Sequence, residues 1–362
     1  MRNRFQAAAF LVVICLPIWG LLLPNQAVTT TENRSLTARP QWRGADTAGV
    51  FFVKCGDYLS DRFAFRDALI HAYGYLQVNY LGISWSDRVV VGKERFLFLR
   101  NTASIKDLRR PPVITEDQLA KWTEPWLYSH KKLKEKGIAY LIIIVPDKQE
   151  VYPQYLPDWL GPLQRPTRLD RMVKYMQENT DLPIIDARAV LEQLPDSELL
   201  YDQTDSHWTD YAALQVSVAI RNRLIALYPQ LADSLGQLPD GGVEIKDELQ
   251  KGGDLARMLG VSRSYTELVR EYYYAEAHQK AGIEFEHFKV PTETKIWRQP
   301  AEHLCTAVLF HDSFSENLFP LLSLFFEQMV AHRLSEPRRL SDEDLSDSPD
   351  IVMQEICQRN MW

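Results

Sequence analysis

The sequence predicts an α/β domain built on a mainly parallel sheet. Ala139 to Val145 is a short, continuous run of apolar and β-branched residues, which is typical of a strand covered on both faces. Leu304 to Phe310 is a second run of this kind, and helix-like segments alternate with such runs along the chain. With 362 residues, 46% of them hydrophobic and 25% charged, the chain is long enough for one large α/β domain or about two domains.

The remaining elements follow from local signals. A capping-box pattern at Thr115 and Gln118 opens a helix that ends near Lys136. Further helices are predicted over Phe51–Leu81, Pro166–Asn179, Asp210–Leu227 and Ser315–Val330, and further strands over Pro183–Asp186, Leu199–Tyr201 and Pro349–Gln354. Residues 234–300 carry the weakest pattern and are interpreted as an insertion.

The N-terminal segment, residues 1–26, is predicted to be a signal-anchor. Arg2 and Arg4 precede a mostly apolar stretch from Ala7 to Leu23, which is long for a signal peptide and near the lower limit for a spanning helix. A cleaved signal is the alternative. In either case Arg2 and Arg4 are expected to stay in the cytoplasm, which places the rest of the chain on the outer side of the membrane. Residues 27–48 are interpreted as a linker and residues 49–362 as the folded domain.

Charge and cysteine content exclude several classes of protein. The formal net charge is −7 and no basic run occurs, so nucleic-acid binding is not expected. The four cysteines contain no C-x-x-C pair, which argues against a redox motif or a zinc ribbon. A bridge between Cys305 and Cys357 and a set of buried free thiols are both compatible with the spacing.

Three side chains in the predicted loops suggest nucleophilic catalysis. Ser313 follows the strand run ending at Phe310 and precedes a helix, as in a nucleophile elbow. Asp205 stands two residues before His207, so it can orient the imidazole that activates the serine hydroxyl. The alternatives are a helix-capping serine and a surface histidine among solvated acids. Metal-ligand spacing is not evident, so no metal and no cofactor are predicted.

Three further residues in the predicted loops are candidates for substrate binding. Trp208 follows the candidate base and could stack on a sugar ring, although a core tryptophan is the alternative. Lys148 and Tyr152 lie in the loop after the strand run Ala139 to Val145 and are predicted to line the same cleft.

Several phrases together resemble the alginate O-acetyltransferase family AlgJ/AlgX. They lie in the family's order between residues 32 and 355, and Thr204–Trp208 (TDSHW) is the most specific. The others are Glu32–Arg34 with Pro40, Asp61–Arg66, Val91–Phe98, Val145–Lys148 with Tyr152–Pro153, Gly253–Leu255 with Met258–Leu259, and Asp312–Phe314.

The resemblance implies an SGNH-hydrolase-like, three-layer domain in a circularly permuted order, with the acid and the histidine before the serine. It implies Asp205 as the orienting acid, His207 as the base and Ser313 as the nucleophile. It further implies an acetyl-serine intermediate and a polysaccharide acceptor. A membrane-bound O-acyltransferase would supply acetyl groups at the periplasmic face of the bacterial inner membrane. Because no carbohydrate-binding domain follows the last predicted strand, the membrane-anchored AlgJ type is expected rather than AlgX.

Two other functions are compatible with the same residues. A carbohydrate acetylesterase would use the same three side chains with water as the acceptor. A non-catalytic anchored scaffold of a polysaccharide assembly would use none of them.

Overall fold

A computed structural model of the chain describes residues 6, 10–15, 28–29, 34–42, 48–62, 66–100, 108, 113–238, 243–288, 293–334 and 336–362. The chain divides into two compact units, Met1–Val91 with Lys251–Thr266, and Gly92–Gln250 with Glu267–Trp362. The predicted domain bounds, with a linker at 27–48 and an insertion at 234–300, stay predictions.

The first unit is mainly helical. Its helices are Ala48–Asp61, Arg66–Leu76, the π-helical turn Gln77–Leu81 and Asp254–Met258, and its short strands are β1 (Val28–Thr29), β2 (Arg34–Ser35) and β3 (Val89–Val91). Gly74 lies against the carbonyl of Leu259, where a Cβ would come within 2.3 Å of the oxygen, so a larger residue would displace the backbone. The carbonyl of Leu259 also accepts a hydrogen bond from Trp85 Nε1 at 3.1 Å.

The predicted signal-anchor, residues 1–26, falls for the most part outside the described residues. Residues 10–15 are helical. Among the residues described, no helix is both long enough and apolar enough to cross a membrane.

The second unit is built on a seven-stranded mixed sheet. The strands of this unit are β4 (Leu97–Leu99), β5 (Ala139–Val145), β6 (Ile184–Asp186), β7 (Glu244–Gln250), β8 (Glu267–Tyr273), β9 (Glu284–Phe288), β10 (Thr294–Arg298), β11 (Thr306–His311), β12 (Gln328–Arg333) and β13 (Ile351–Cys357). The order across the sheet is β6, β5, β13, β11, β12, β10, β9. The first five strands are parallel, and β10 and β9 each run antiparallel to the strand before them.

Helices cover both faces of this sheet. Alternate residues of β5 point to opposite faces, so Leu141 and Ile143 belong to one apolar cluster and Tyr140 and Ile142 to the other. The helices of this unit are Glu116–Glu135, Lys148–Val151, Arg168–Asn179, Ala187–Leu191, Asp210–Leu227, Ala275–Ala281 and Phe319–Leu322. The predicted three-layer α/β domain with a mainly parallel sheet is confirmed, with a mixed edge that the sequence pattern did not indicate.

The segment after Ser313 differs most from the prediction. Instead of one helix over Ser315–Val330, the chain forms the short turns Ser313–Asn317, Phe319–Leu322 and Ser323–Phe325 and then enters β12. Met329, Val330 and Ala331 of β12 are buried in the sheet. The segment is densely apolar and has no clear helical or strand period. The predicted helix was wrong because sheet pairing overrides the local helix propensity here.

Two smaller differences concern strands. Leu199–Tyr201 is not a strand, since its only ladder contact among the described residues is an isolated bridge from Tyr201 to Trp208. Within residues 234–300, β9 and β10 extend the sheet at its edge, and every residue of β9 is exposed. An exposed edge strand lacks the apolar alternation by which strands are predicted.

Candidate active site

Ser313 lies at the carboxyl edge of the sheet, where open α/β folds place their sites. It begins the short 3-10 helix Ser313–Asn317 directly after β11. Asp312 is the N-cap, and its Oδ1 accepts a hydrogen bond from the amide of Phe314 at 3.0 Å. As a first helical residue, Ser313 has an amide N–H without an intrahelical carbonyl, which makes it a donor for a developing oxyanion.

A buried acid on the neighbouring strand β13, Glu355, holds this turn in place through hydrogen bonds. Glu355 Oε2 accepts hydrogen bonds from the amide of Asp312 at 3.0 Å and from the hydroxyl of Ser315 at 2.8 Å. The two donors lie on either side of Ser313. Burial, and then the nearby Asp312 carboxylate, raise the pKa of Glu355 well above its usual value. The neutral acid therefore fits this position.

Asp312 is itself fixed by the chain that follows β13. Its Oδ2 accepts hydrogen bonds from the amide of Cys357 at 2.8 Å and from Asn360 Nδ2 at 2.9 Å. Cys357 and Cys305 are both free thiols, so the possible bridge between them does not form. The loop that carries Ser313 is thus anchored by the hydrogen bonds of two buried acids, Glu355 on β13 and Asp312 in the loop itself.

The loop before helix Asp210–Leu227 carries the acid and the imidazole. Asp205 Oδ1 accepts a hydrogen bond from the amide of His207 at 3.0 Å, a local turn in which an aspartate bonds the backbone two residues on. The same oxygen lies 2.7 Å from His207 Nδ1. Because of the D-x-H spacing, one carboxylate oxygen of Asp205 contacts both the backbone amide and the ring of His207, which fixes the orientation of the ring.

The structure brings the three predicted side chains together. His207 Nε2 lies 2.9 Å from Ser313 Oγ, although the two residues are 106 positions apart in the chain. With Nδ1–H donated to Asp205, Nε2 carries the lone pair that accepts the serine proton. The His207 side chain is 27% exposed and that of Asp205 is 20% exposed, so a substrate can reach the pair. The His207 ring packs beside Phe314, with the centroids 4.9 Å apart.

Lys148 supports this loop through hydrogen bonds to its backbone carbonyls. Its side chain is buried, and Nζ donates to the backbone carbonyls of Leu97, Asp202, Gln203 and Asp205 at 2.5–3.0 Å. An ammonium group surrounded by carbonyls in the interior has no free donor to offer a sugar. The predicted cleft-lining role of Lys148 stays a prediction, and its burial, which a loop position does not reveal, does not favour it.

The other two predicted substrate-binding residues also have structural contacts, and their roles in binding stay predictions. Trp208 is 1% exposed, donates Nε1 to the carbonyl of Phe314 at 3.0 Å and packs edge-on against its ring, so neither face of the indole is free for a sugar. The hydroxyl of Tyr152 accepts the amide of Leu200 at 2.7 Å. The ring of Tyr152 packs edge-on against Phe96.

An acidic pair lies close to the same loop. Burial, and then the charges of Glu267 and Asp205, raise the pKa of Asp202 to about 8, while Lys148 opposes the shift. Asp202 is therefore mostly protonated at neutral pH and adds little negative charge beside the imidazole. Glu267 accepts a hydrogen bond from the amide of Thr204 at 3.2 Å and so fixes the start of the loop.

Sequence reasoning missed Glu355 and Asn360. Neither belongs to a motif, because each acts on Asp312 from a distant part of the chain. The one available signal was a glutamate inside the apolar run of β13, since a charged residue in a buried strand needs a partner.

The fold and the hydrogen-bonded Asp–His–Ser arrangement define the class of SGNH-hydrolase-like enzymes of acyl transfer. The model of the family described as the SGNH hydrolase-like domain of the acetyltransferase AlgX matches residues 89–287. The chain belongs to this family and is an O-acetyltransferase. The matched segment includes Asp205 and His207 and ends before Ser313.

Solved structures share this fold. The O-acetyltransferase domain of Pseudomonas putida AlgJ is 19% identical with a TM-score of 0.50, and the match covers 75% of this chain and 91% of that chain. Bacillus cereus PatB1 with a sulfonyl adduct is 14% identical with a TM-score of 0.53, covering 75% and 97%. A comparison with curated proteins gives no match.

Proposed function

We propose that the chain transfers acetyl groups to sugar hydroxyls of an alginate-like exopolysaccharide through an acetyl-serine at Ser313. The observation that carries this proposal is the continuous contact from Asp205 through His207 to Ser313, at 2.7 and 2.9 Å. A serine hydroxyl becomes a nucleophile when an oriented base accepts its proton, and these three side chains have that arrangement.

In the first half-reaction, Ser313 Oγ attacks the acetyl carbonyl carbon of the donor while His207 Nε2 takes the hydroxyl proton. The carbonyl oxygen becomes an oxyanion, which the amide of Ser313 is positioned to stabilise. One such donor contributes about 3–4 kcal/mol to lowering the barrier. The donor's leaving group departs with the proton from His207, and the acetyl group stays on Ser313.

In the second half-reaction, His207 removes the proton of a sugar hydroxyl, whose oxygen attacks the acetyl-serine carbonyl. Collapse of the tetrahedral intermediate breaks the bond to Oγ, and His207 returns the proton to Ser313. Asp205 stabilises the imidazolium in both steps. Transfer exceeds hydrolysis only where bound sugar outcompetes water for the acetyl-serine.

The setting is part of the proposal. The N-terminal residues 1–26 have the composition of a signal-anchor, which supports a site at the periplasmic face of the inner membrane. A membrane-bound O-acyltransferase is the proposed acetyl supplier there, and the polysaccharide is the acceptor partner.

The test is to mix a chromogenic acetyl ester with alginate oligosaccharides and to follow both free acetate and acetylated sugar. Ser313→Ala should abolish both products, and Ser197→Ala, at an exposed serine outside the triad, should change neither. Retention of either activity in Ser313→Ala overturns the serine mechanism. Release of acetate alone by the parent protein, with no acetylated sugar, would identify an esterase instead.

A further inference from the structure

A groove lies on the second unit beside the end of β13. Its cavity volume is about 470 Å³, within the range of pockets that hold small ligands. The residues that matter here are Lys121 and Trp122 of helix Glu116–Glu135, Glu336 after β12, and Asn360 and Trp362 after β13. The walls combine two indole rings with an amine, a carboxylate and an amide.

The two tryptophans form a fixed aromatic corner. The ring centroids of Trp122 and Trp362 are 6.0 Å apart and the rings are inclined at 51°. The guanidinium of Arg168 lies 5.6 Å from the first centroid and 4.8 Å from the second, so one cation contacts both rings. Both side chains are half-buried, which holds the rings in place and leaves apolar surface open to the groove.

Two residues that line the groove also contact the turn that carries Ser313. Asn360 lines the groove and donates Nδ2 to Asp312, the residue before Ser313, at 2.9 Å. Arg359 also lines the groove, and its guanidinium lies 5.1 Å from the ring centroid of Phe314, the residue after Ser313. A molecule in this groove therefore lies against the side chains that fix the reactive turn.

We infer that this groove is a subsite for one pyranose unit of the acceptor polysaccharide, next to the unit that is acetylated. The inference rests on the proposed function for the identity of the acceptor. A pyranose has apolar C–H faces that suit an indole corner and hydroxyl groups that suit Lys121, Glu336 and Asn360. Binding at a second unit holds the sugar hydroxyl at the acetyl-serine and favours transfer over hydrolysis.

The test measures binding without turnover. The full chain carrying Ser313→Ala is titrated calorimetrically with an alginate hexasaccharide and, separately, with cellohexaose. Adding Trp122→Ala or Trp362→Ala should weaken the binding by roughly tenfold, as expected for loss of an aromatic anchor. Trp159→Ala is the matched control. That tryptophan is exposed and, like the groove tryptophans, contacts an arginine, Arg100, at 5.9 Å, but it lies outside the groove, so affinity should not change.

Unchanged affinity in both groove variants, with sugar bound by the parent, overturns the subsite and leaves the polysaccharide acceptor intact. An equal loss in Trp159→Ala overturns it as well, because the effect would not be specific to the groove. Failure of the parent to bind either sugar also overturns it. Failure of the serine mechanism is detected separately, by acetate release from the Ser313→Ala protein.

Discussion

Glu355 on β13 accepts a hydrogen bond at 3.0 Å from the backbone amide of Asp312, the residue before Ser313. The contact is compatible with burial because the pKa of Glu355 is raised and the acid is neutral. The arrangement links the interior of the sheet to the position of Ser313, and it leads to the first prediction.

Glu355→Ala should lower the free energy of unfolding by about 2–4 kcal/mol, because it leaves two buried donors without an acceptor. Those donors are the Asp312 amide and the Ser315 hydroxyl. Glu355→Gln keeps an acceptor oxygen and the shape of the neutral acid, so most of the stability should remain. Urea unfolding of the two variants measures the difference. Equal losses in both would show that the carboxyl group itself is required.

Asp205→Asn should reduce acetyl transfer by about 10²–10⁴-fold, because the amide no longer holds His207 in the productive tautomer or stabilises its imidazolium. The contact is the 2.7 Å pair between Asp205 Oδ1 and His207 Nδ1. Steady-state rates over a range of pH measure the loss. Asp196→Asn, at an exposed aspartate, is the control. A rate within twofold of the parent's would contradict the proposed role of Asp205.

Lys148→Met should destabilise the second unit and lower activity together. The ammonium donates to four carbonyls, one of them that of Asp205, and methionine leaves those buried acceptors without a donor. A hydrogen bond to a charged group contributes about 1.5–3 kcal/mol, so the unfolding free energy should fall by at least ~2 kcal/mol. Lys174→Met, at an exposed lysine, should have little effect on denaturant unfolding. A raised KM for sugar at unchanged stability would instead support substrate binding by Lys148.

Asp202 should make the protein less stable as the pH rises from about 4 to about 8. Its pKa is raised from 3.8 to about 8 by burial and then by Glu267. Between these values the folded state binds a proton that the unfolded chain has released, so the stabilisation present at low pH is lost as pH rises through 8. Unfolding free energies of the parent and of Asp202→Asn, measured across this range, should converge at acid pH and diverge at alkaline pH, with the variant the more stable. Parallel curves would contradict the shift.

The sequence predicted the parts of the site that depend on short-range chemistry. Asp205 and His207 are two residues apart, and an aspartate bonds the backbone two positions on in any turn of this kind. Ser313 follows a buried strand, and the end of a parallel strand lies at the reactive edge of the sheet. Local pattern therefore named all three side chains as candidates, and the family resemblance implied the role of each.

Only the tertiary structure decided what surrounds them. Lys148, Tyr152 and Trp208 lie in the predicted loops, but their hydrogen bonds are to Leu97, Leu200 and Phe314, which come from other segments. The strand β12 was missed for a related reason. Its pairing with β11 and β10 cannot be inferred from the spacing of its own apolar residues.

The spacing of the reactive residues and the runs of apolar residues are local properties of the chain. The sequence alone therefore determined the reactive groups and the α/β class of this protein. Burial and the meeting of Ser313 with His207 across 106 residues are collective properties of the packed sheet, and they were decided only when the strands came together.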